Sequence, residues 1–156
     1  MKVRHVWWLV CASGCQSETG DRDLCSFPSE VAEGQGEATI DGDLWQGADV
    51  AWTESGSGLQ ITTGMSDGWR MTVVIRGEGL DEDGLGRISL DGTDGWALIY
   101  PESGSSYSSQ TGEGSLDLVQ NSDMVQACLE VEASGEDGSV VVEQAYLHAE
   151  ALDIGG

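Results

Sequence analysis

From Trp69 to Arg76 the side chains fall on two alternating faces: Trp69, Met71, Val73 and Ile75 on one, and Arg70, Thr72, Val74 and Arg76 on the other. A period of two sustained over this stretch predicts a half-buried β-strand. The alternation recurs along the chain. Leu59 and Ile61 alternate with Gln60 and Thr62, and Ile88 and Leu90 with Arg87 and Ser89. Trp96, Leu98 and Tyr100 form a further apolar face, as do Leu116 and Leu118. Val125, Ala127, Leu129 and Val131 alternate with Gln126, Cys128, Glu130 and Glu132, which puts Cys128 on a polar face. Ser139 to Ala149 is the last long strand, and a slip of phase near Glu143 and Gln144 predicts a bulge. Trp52, Trp69 and Trp96 fit inward positions, where core packing is the ordinary reading.

Turn residues fall between these stretches: Asp41-Gly42, Gly64 to Gly68, Gly84, Asp91-Gly92, Asp94-Gly95 and Gly135 to Gly138. With first strands near Ala38 to Asp41 and Ala48 to Thr53, the pattern predicts about nine or ten strands and no helix. One polar and one apolar face per strand implies antiparallel pairing. The expected fold is an all-β antiparallel sandwich, with a closed barrel as the alternative. Residues 16–37 are polar and without period. They read as a tether with Cys25, Phe27 and Val31 as docking points, ahead of a domain spanning 38–156.

The opening of the chain has another character. Lys2, Arg4 and His5 form a basic head, Val6 to Ala12 an apolar run, and Ala12-Ser13-Gly14 a small-residue stretch before Cys15. This is the layout of a secretory signal peptide covering residues 1–14. The Ala-Ser-Gly-Cys ending resembles the lipobox of bacterial lipoproteins, although Ala12 stands where leucine is usual. That resemblance implies cleavage before Cys15 and a diacylglycerol on its sulfur. Gln16, in the position where Asp often retains such proteins at the inner membrane, implies the outer membrane. An ordinary signal peptide cleaved at the same place, giving a secreted or periplasmic protein, is the alternative. The segment Thr39 to Trp45, of the form x-Ile-Asp-Gly-x-x-Trp, followed by meandering strands, resembles small β-sandwich lipoproteins of bacterial cell envelopes. This second resemblance implies a fold and an address, and no reaction.

Loss of the leader would remove Lys2 and Arg4, leaving four arginines against 28 acidic residues, a formal charge of −24. Such a chain is repelled by nucleic acid and by anionic lipid headgroups. Membrane attachment would then rest on the lipid. Cys11 leaves with the leader and lipidation consumes Cys15, so Cys25 and Cys128 remain as the expected disulfide.

Candidate chemistry is sparse. Gly64-Met65-Ser66-Asp67-Gly68 spells the G-x-S-x-G of a hydrolase elbow, but the strand that follows it predicts a hairpin turn. His148 has no signature joining it to Ser66 and reads as a strand-surface residue. No catalytic residue is expected. Asp81, Asp83, Asp91 and Asp94 sit in glycine-containing turns and are weak candidates for calcium, with solvated turn carboxylates as the competing reading. No cofactor is favoured beyond the lipid. Trp45 and the serine-flanked Tyr107 are a weak candidate pair for stacking on a sugar. The expected function is a non-enzymatic envelope lipoprotein presenting an acidic β-sandwich to an envelope protein or glycan partner. A secreted carbohydrate- or calcium-binding module is the alternative.

Overall fold

The computed structural model describes residues 26–56, 58–77, 85–121 and 124–152. These form ten strands: β1 (Gln35–Ile40), β2 (Asp43–Gly47), β3 (Ala51–Ser55), β4 (Gly58–Thr62), β5 (Trp69–Ile75), β6 (Leu85–Ser89), β7 (Gly95–Pro101), β8 (Tyr107–Asn121), β9 (Met124–Gly135) and β10 (Gly138–Ala151). All pairings are antiparallel except a short one between β3 and β10.

The pairings separate into two layers. One runs β6-β8-β9-β10-β1-β2, the other β3-β4-β5-β7. Two narrow seams join them. At one, β10 runs parallel to β3 through Glu150↔Ala51 and Ala151↔Trp52. At the other, β7 meets β8 through Leu98↔Ser108 and Ile99↔Tyr107. Hydrogen bonding therefore continues round the molecule, while most of it lies within the layers. Both layers turn their apolar faces inward into one core. Leu59, Ile61, Met71, Val73, Ile75, Ala97 and Ile99 come from one side, and Ile40, Trp45, Leu116, Leu118, Leu129, Val142 and Leu147 from the other.

Local chemistry sets the register. Asp41 and Gly42 both have positive φ (49° and 88°), and so do Asp67 and Gly68 (46° and 82°). Each pair is the two-residue turn whose twist suits a hairpin. One joins β1 to β2, with Ile40 opposite Asp43; the other is closed by reciprocal hydrogen bonds between Ser66 and Trp69 at 2.9 and 2.8 Å. The expected bulge near Glu143 is present: the β9–β10 register shifts between Val142 and Ala145, and Gln144 has φ 49°.

One expectation about phase and one about strand bounds are corrected. In β7, Ala97 and Ile99 enter the core, while Trp96, Leu98 and Tyr100 are half-buried on the outer face. The strand is apolar on both faces, so alternation alone does not choose between them. The first strand begins at Gln35, and Val31 ahead of it is already buried.

Candidate functional site

The outer face of the six-stranded layer receives part of the segment that precedes β1. Across it, register sets Arg87, Asp117, Cys128, Tyr146, Glu37 and Gln46 in one row over β6, β8, β9, β10, β1 and β2. Cys128 is 9% exposed and points outward, as its polar-face position predicts. It is disulfide-bonded. The other cysteines, Cys15 and Cys25 among them, lie outside the described residues.

An arm lies on this row. Phe27 meets the Tyr146 ring edge-on at 5.8 Å between centroids, and the His148 ring at 5.7 Å. The His148 Nδ1 is 3.0 Å from the Val31 carbonyl oxygen, which it meets as an N–H donor. The arm then joins the sheet: Gly34 N–H donates to the His148 carbonyl at 2.7 Å, and Val50 N–H donates to that of Gly34 at 3.0 Å. His148 is therefore held under the arm. Ser66 belongs to a strand–turn–strand hairpin with no helix following it.

The candidate sugar-stacking pair packs into the core, Trp45 buried and Tyr107 half-buried. Trp45 is 1% exposed. Its Nε1–H is shared between the carbonyls of Ser66 (2.9 Å) and Trp69 (3.2 Å). A Cβ at Gly47 would stand 2.1 Å from the indole, so the ring occupies the space left by that glycine. Tyr107 stands opposite Ile99, faces inward, and packs on Trp69 at 6.3 Å. Both aromatics serve the core, and each was ambiguous because it lies next to a turn where alternation stops.

Of the calcium candidates, Asp91 and Asp94 share one turn; Asp81 and Asp83 lie outside the described residues. The Asp91 carboxylate accepts the Thr93 N–H at 3.0 Å, and this hydrogen bond holds its carboxyl below the ordinary value of 3.8. Among the described residues, no three His, Cys, Asp or Glu side chains are placed to hold a metal ion.

The other layer carries a constellation that alternation alone does not single out. The outward residues of β4, β5 and β7 are Gly58, Gln60, Thr62, Arg70, Thr72, Val74, Trp96, Leu98 and Tyr100, with Arg76 just past the end of β5. Register sets Arg70 opposite Tyr100, and Val74 opposite Trp96. The Arg70 guanidinium lies 4.5 Å from the Tyr100 ring centroid, and that of Arg76 lies 5.5 Å from the Trp96 centroid. Arg76 also donates to the Thr93 carbonyl at 3.4 Å. None of these outward positions carries a carboxylate. The signal was present in the sequence, since Arg70 and Arg76 fall on the same face of the clearest strand.

The outward side of the six-stranded layer is the opposite. Glu37, Glu113, Asp117, Glu130, Glu132, Glu143 and Glu150 stand there, and Arg87 is paired bidentately with Asp117 at 2.7 and 2.8 Å. The two faces of one small domain thus differ in charge. No known protein family, curated protein or solved structure matches this chain.

Proposed function

We propose that the protein is a non-enzymatic cell-envelope lipoprotein, anchored by a diacylglycerol on Cys15, whose acidic β-sandwich is a binding module. The observation that carries this reading is the docked arm. Phe27 rests on Tyr146, and Tyr146 is the cross-strand neighbour of Cys128. Cys25 lies only two residues before Phe27, within about 7 Å of extended chain. Neighbouring strands lie about 5 Å apart, so Cys25 is within bonding reach of Cys128. The proposed Cys25–Cys128 bridge closes a loop of about 100 residues, which the chain-entropy account values at roughly 4–5 kcal/mol. It suits an oxidising compartment, as does the leader.

With that staple in place, Gln16 to Leu24 is the free spacer between lipid and domain, reaching at most about 30 Å. The domain then rides close to the bilayer, and Gln16 directs it to the outer membrane. Metabolic labelling with radioactive palmitate tests the anchor. Label should enter the wild-type protein in the membrane fraction and be lost in Cys15→Ser. Unlabelled protein found wholly in the soluble periplasm overturns it. Non-reduced peptide mapping should recover Cys25 joined to Cys128; free thiols at both positions would remove the staple.

A further inference from the structure

We propose that the outer face of the four-stranded layer, from Arg70 and Tyr100 to Arg76 and Trp96, docks an acidic protein partner. This rests on the reading of the domain as a binding module, and names the partner's chemistry.

Charge is the first argument. The chain carries 28 acidic residues, so a guanidinium on its surface readily finds a carboxylate, as Arg87 does with Asp117. Arg70 and Arg76 do not. Among the described residues neither has a carboxylate partner, and each lies over an aromatic ring instead. The nearest acidic positions along β7 are at its ends, Asp94 and Glu102, while Asp67 accepts the Gln46 N–H at 3.0 Å. A ring beneath a guanidinium limits its freedom and leaves its outward N–H groups available to a carboxylate: the whole fork at Arg70, and at Arg76 the N–H groups other than the Nη1–H given to Thr93. The acidic outer face of the other layer repels a like-charged partner, so approach is oriented toward the arginines.

Composition is the second. Tyr, Trp and Arg around an aliphatic centre are the residues that dominate protein–protein binding energy. Here Val74 and Leu98 lie between the two cation–ring pairs, half-buried and flat in the sheet. The rings of Tyr100 and Trp96 each have a guanidinium over them, which obstructs the ring–ring stacking that a sugar would use. That favours a protein over an acidic glycan. Six residues of one strand separate the arginines by about 20 Å, a span that a partner meets with two separated carboxylates.

The test uses the mature protein purified from membranes in detergent, with a fluorescent random glutamate–tyrosine copolymer as the protein-like probe and polygalacturonate as the glycan. The copolymer should bind saturably. Arg70→Glu with Arg76→Glu should weaken it about tenfold or more, as truncating a charged anchor does, while Arg87→Gln leaves it unchanged. Melting curves confirm that the variants are folded, and Arg70→Lys with Arg76→Lys, which keeps the charge but loses the fork, should give an intermediate loss. Copolymer binding indifferent to both arginines overturns the proposal. So does absence of saturable binding, tighter arginine-dependent binding of polygalacturonate, or arginine-dependent self-association. Protein that takes up palmitate but binds no copolymer fails this inference alone. Protein that binds copolymer without lipid fails the anchoring alone.

Discussion

The hydroxyl of Ser109 stands in for ladder that β7 and β8 do not form. It donates to the Leu90 carbonyl and accepts the Ala97 N–H at 2.8 Å, wholly buried. Ser109→Ala would leave two buried backbone groups without partners, so a loss of about 1–3 kcal/mol is expected from urea unfolding. A change under about 0.3 kcal/mol would mean that other groups close this seam. Nothing in the sequence around Ser109 marks it, because one serine among several in a polar run has no periodic signature. Trp45 is a similar case. Its inward position depends on Gly47 beside it and Gly36 across the strand, where a Cβ would meet the same indole at 3.2 Å. Asp91 shows the limit of a local effect. Its carboxyl is lowered by the Thr93 N–H, so the turn's contribution is complete above the unfolded value and fades as pH falls through the lower folded one. An NMR titration should place the Asp91 midpoint below 3.8, and Thr93→Pro, which removes that N–H, should bring it back.

Strands whose two faces differ in polarity are legible in the sequence. β5 and β9 keep the phase that alternation assigns, including the outward Cys128. The bulge in β10 was legible too, because one extra residue reverses the alternation beyond it. β7 was not, since Gly95 to Tyr100 offers apolar side chains to both sides. The arm's docking points, Phe27 and Val31, were legible as apolar residues in a polar run, but the Tyr146 and His148 that receive them were not, and nor were the seams, because each depends on contacts between distant segments, as of Ala51 with Glu150. The arm's energetics follow from its few contacts. Phe27 is half-buried and its edge-to-face contacts are worth about 0.5–1.5 kcal/mol beyond the area they cover. Phe27→Ala should therefore loosen the arm without unfolding the core. Hydrogen exchange is expected to quicken at the Gly34 N–H, bonded to the His148 carbonyl, while the Met71 N–H, bonded to the buried Thr63 hydroxyl, keeps its protection. Equal acceleration at both amides would show the arm to be part of the global unfolding unit.

At the scale of the whole molecule, one layer collects repulsion. Glu113 stands directly opposite Glu132 across β8 and β9, and Glu130 lies two positions along the same face of β9. Like charges directly opposite each other on a sheet are destabilising by up to about 1 kcal/mol a pair. Added salt should accordingly raise the melting temperature of this protein, since screening relieves repulsion more than it weakens the Arg87–Asp117 pair on the same layer, whose arginine side chain is 65% exposed. Glu132→Lys isolates the effect. It replaces a like-charge pair with an opposite-charge one at an exposed site, so packing changes little. At low ionic strength, where the Debye length is about 30 Å, a gain of about 0.5–1 kcal/mol is expected. At 1 M salt, where it is about 3 Å, most of that gain should vanish. A gain that persists unchanged in high salt would assign the effect to strand propensity or packing instead. No gain at low salt would show that solvent already neutralises the acidic layer, and the charge contrast between the two faces would lose its energetic meaning.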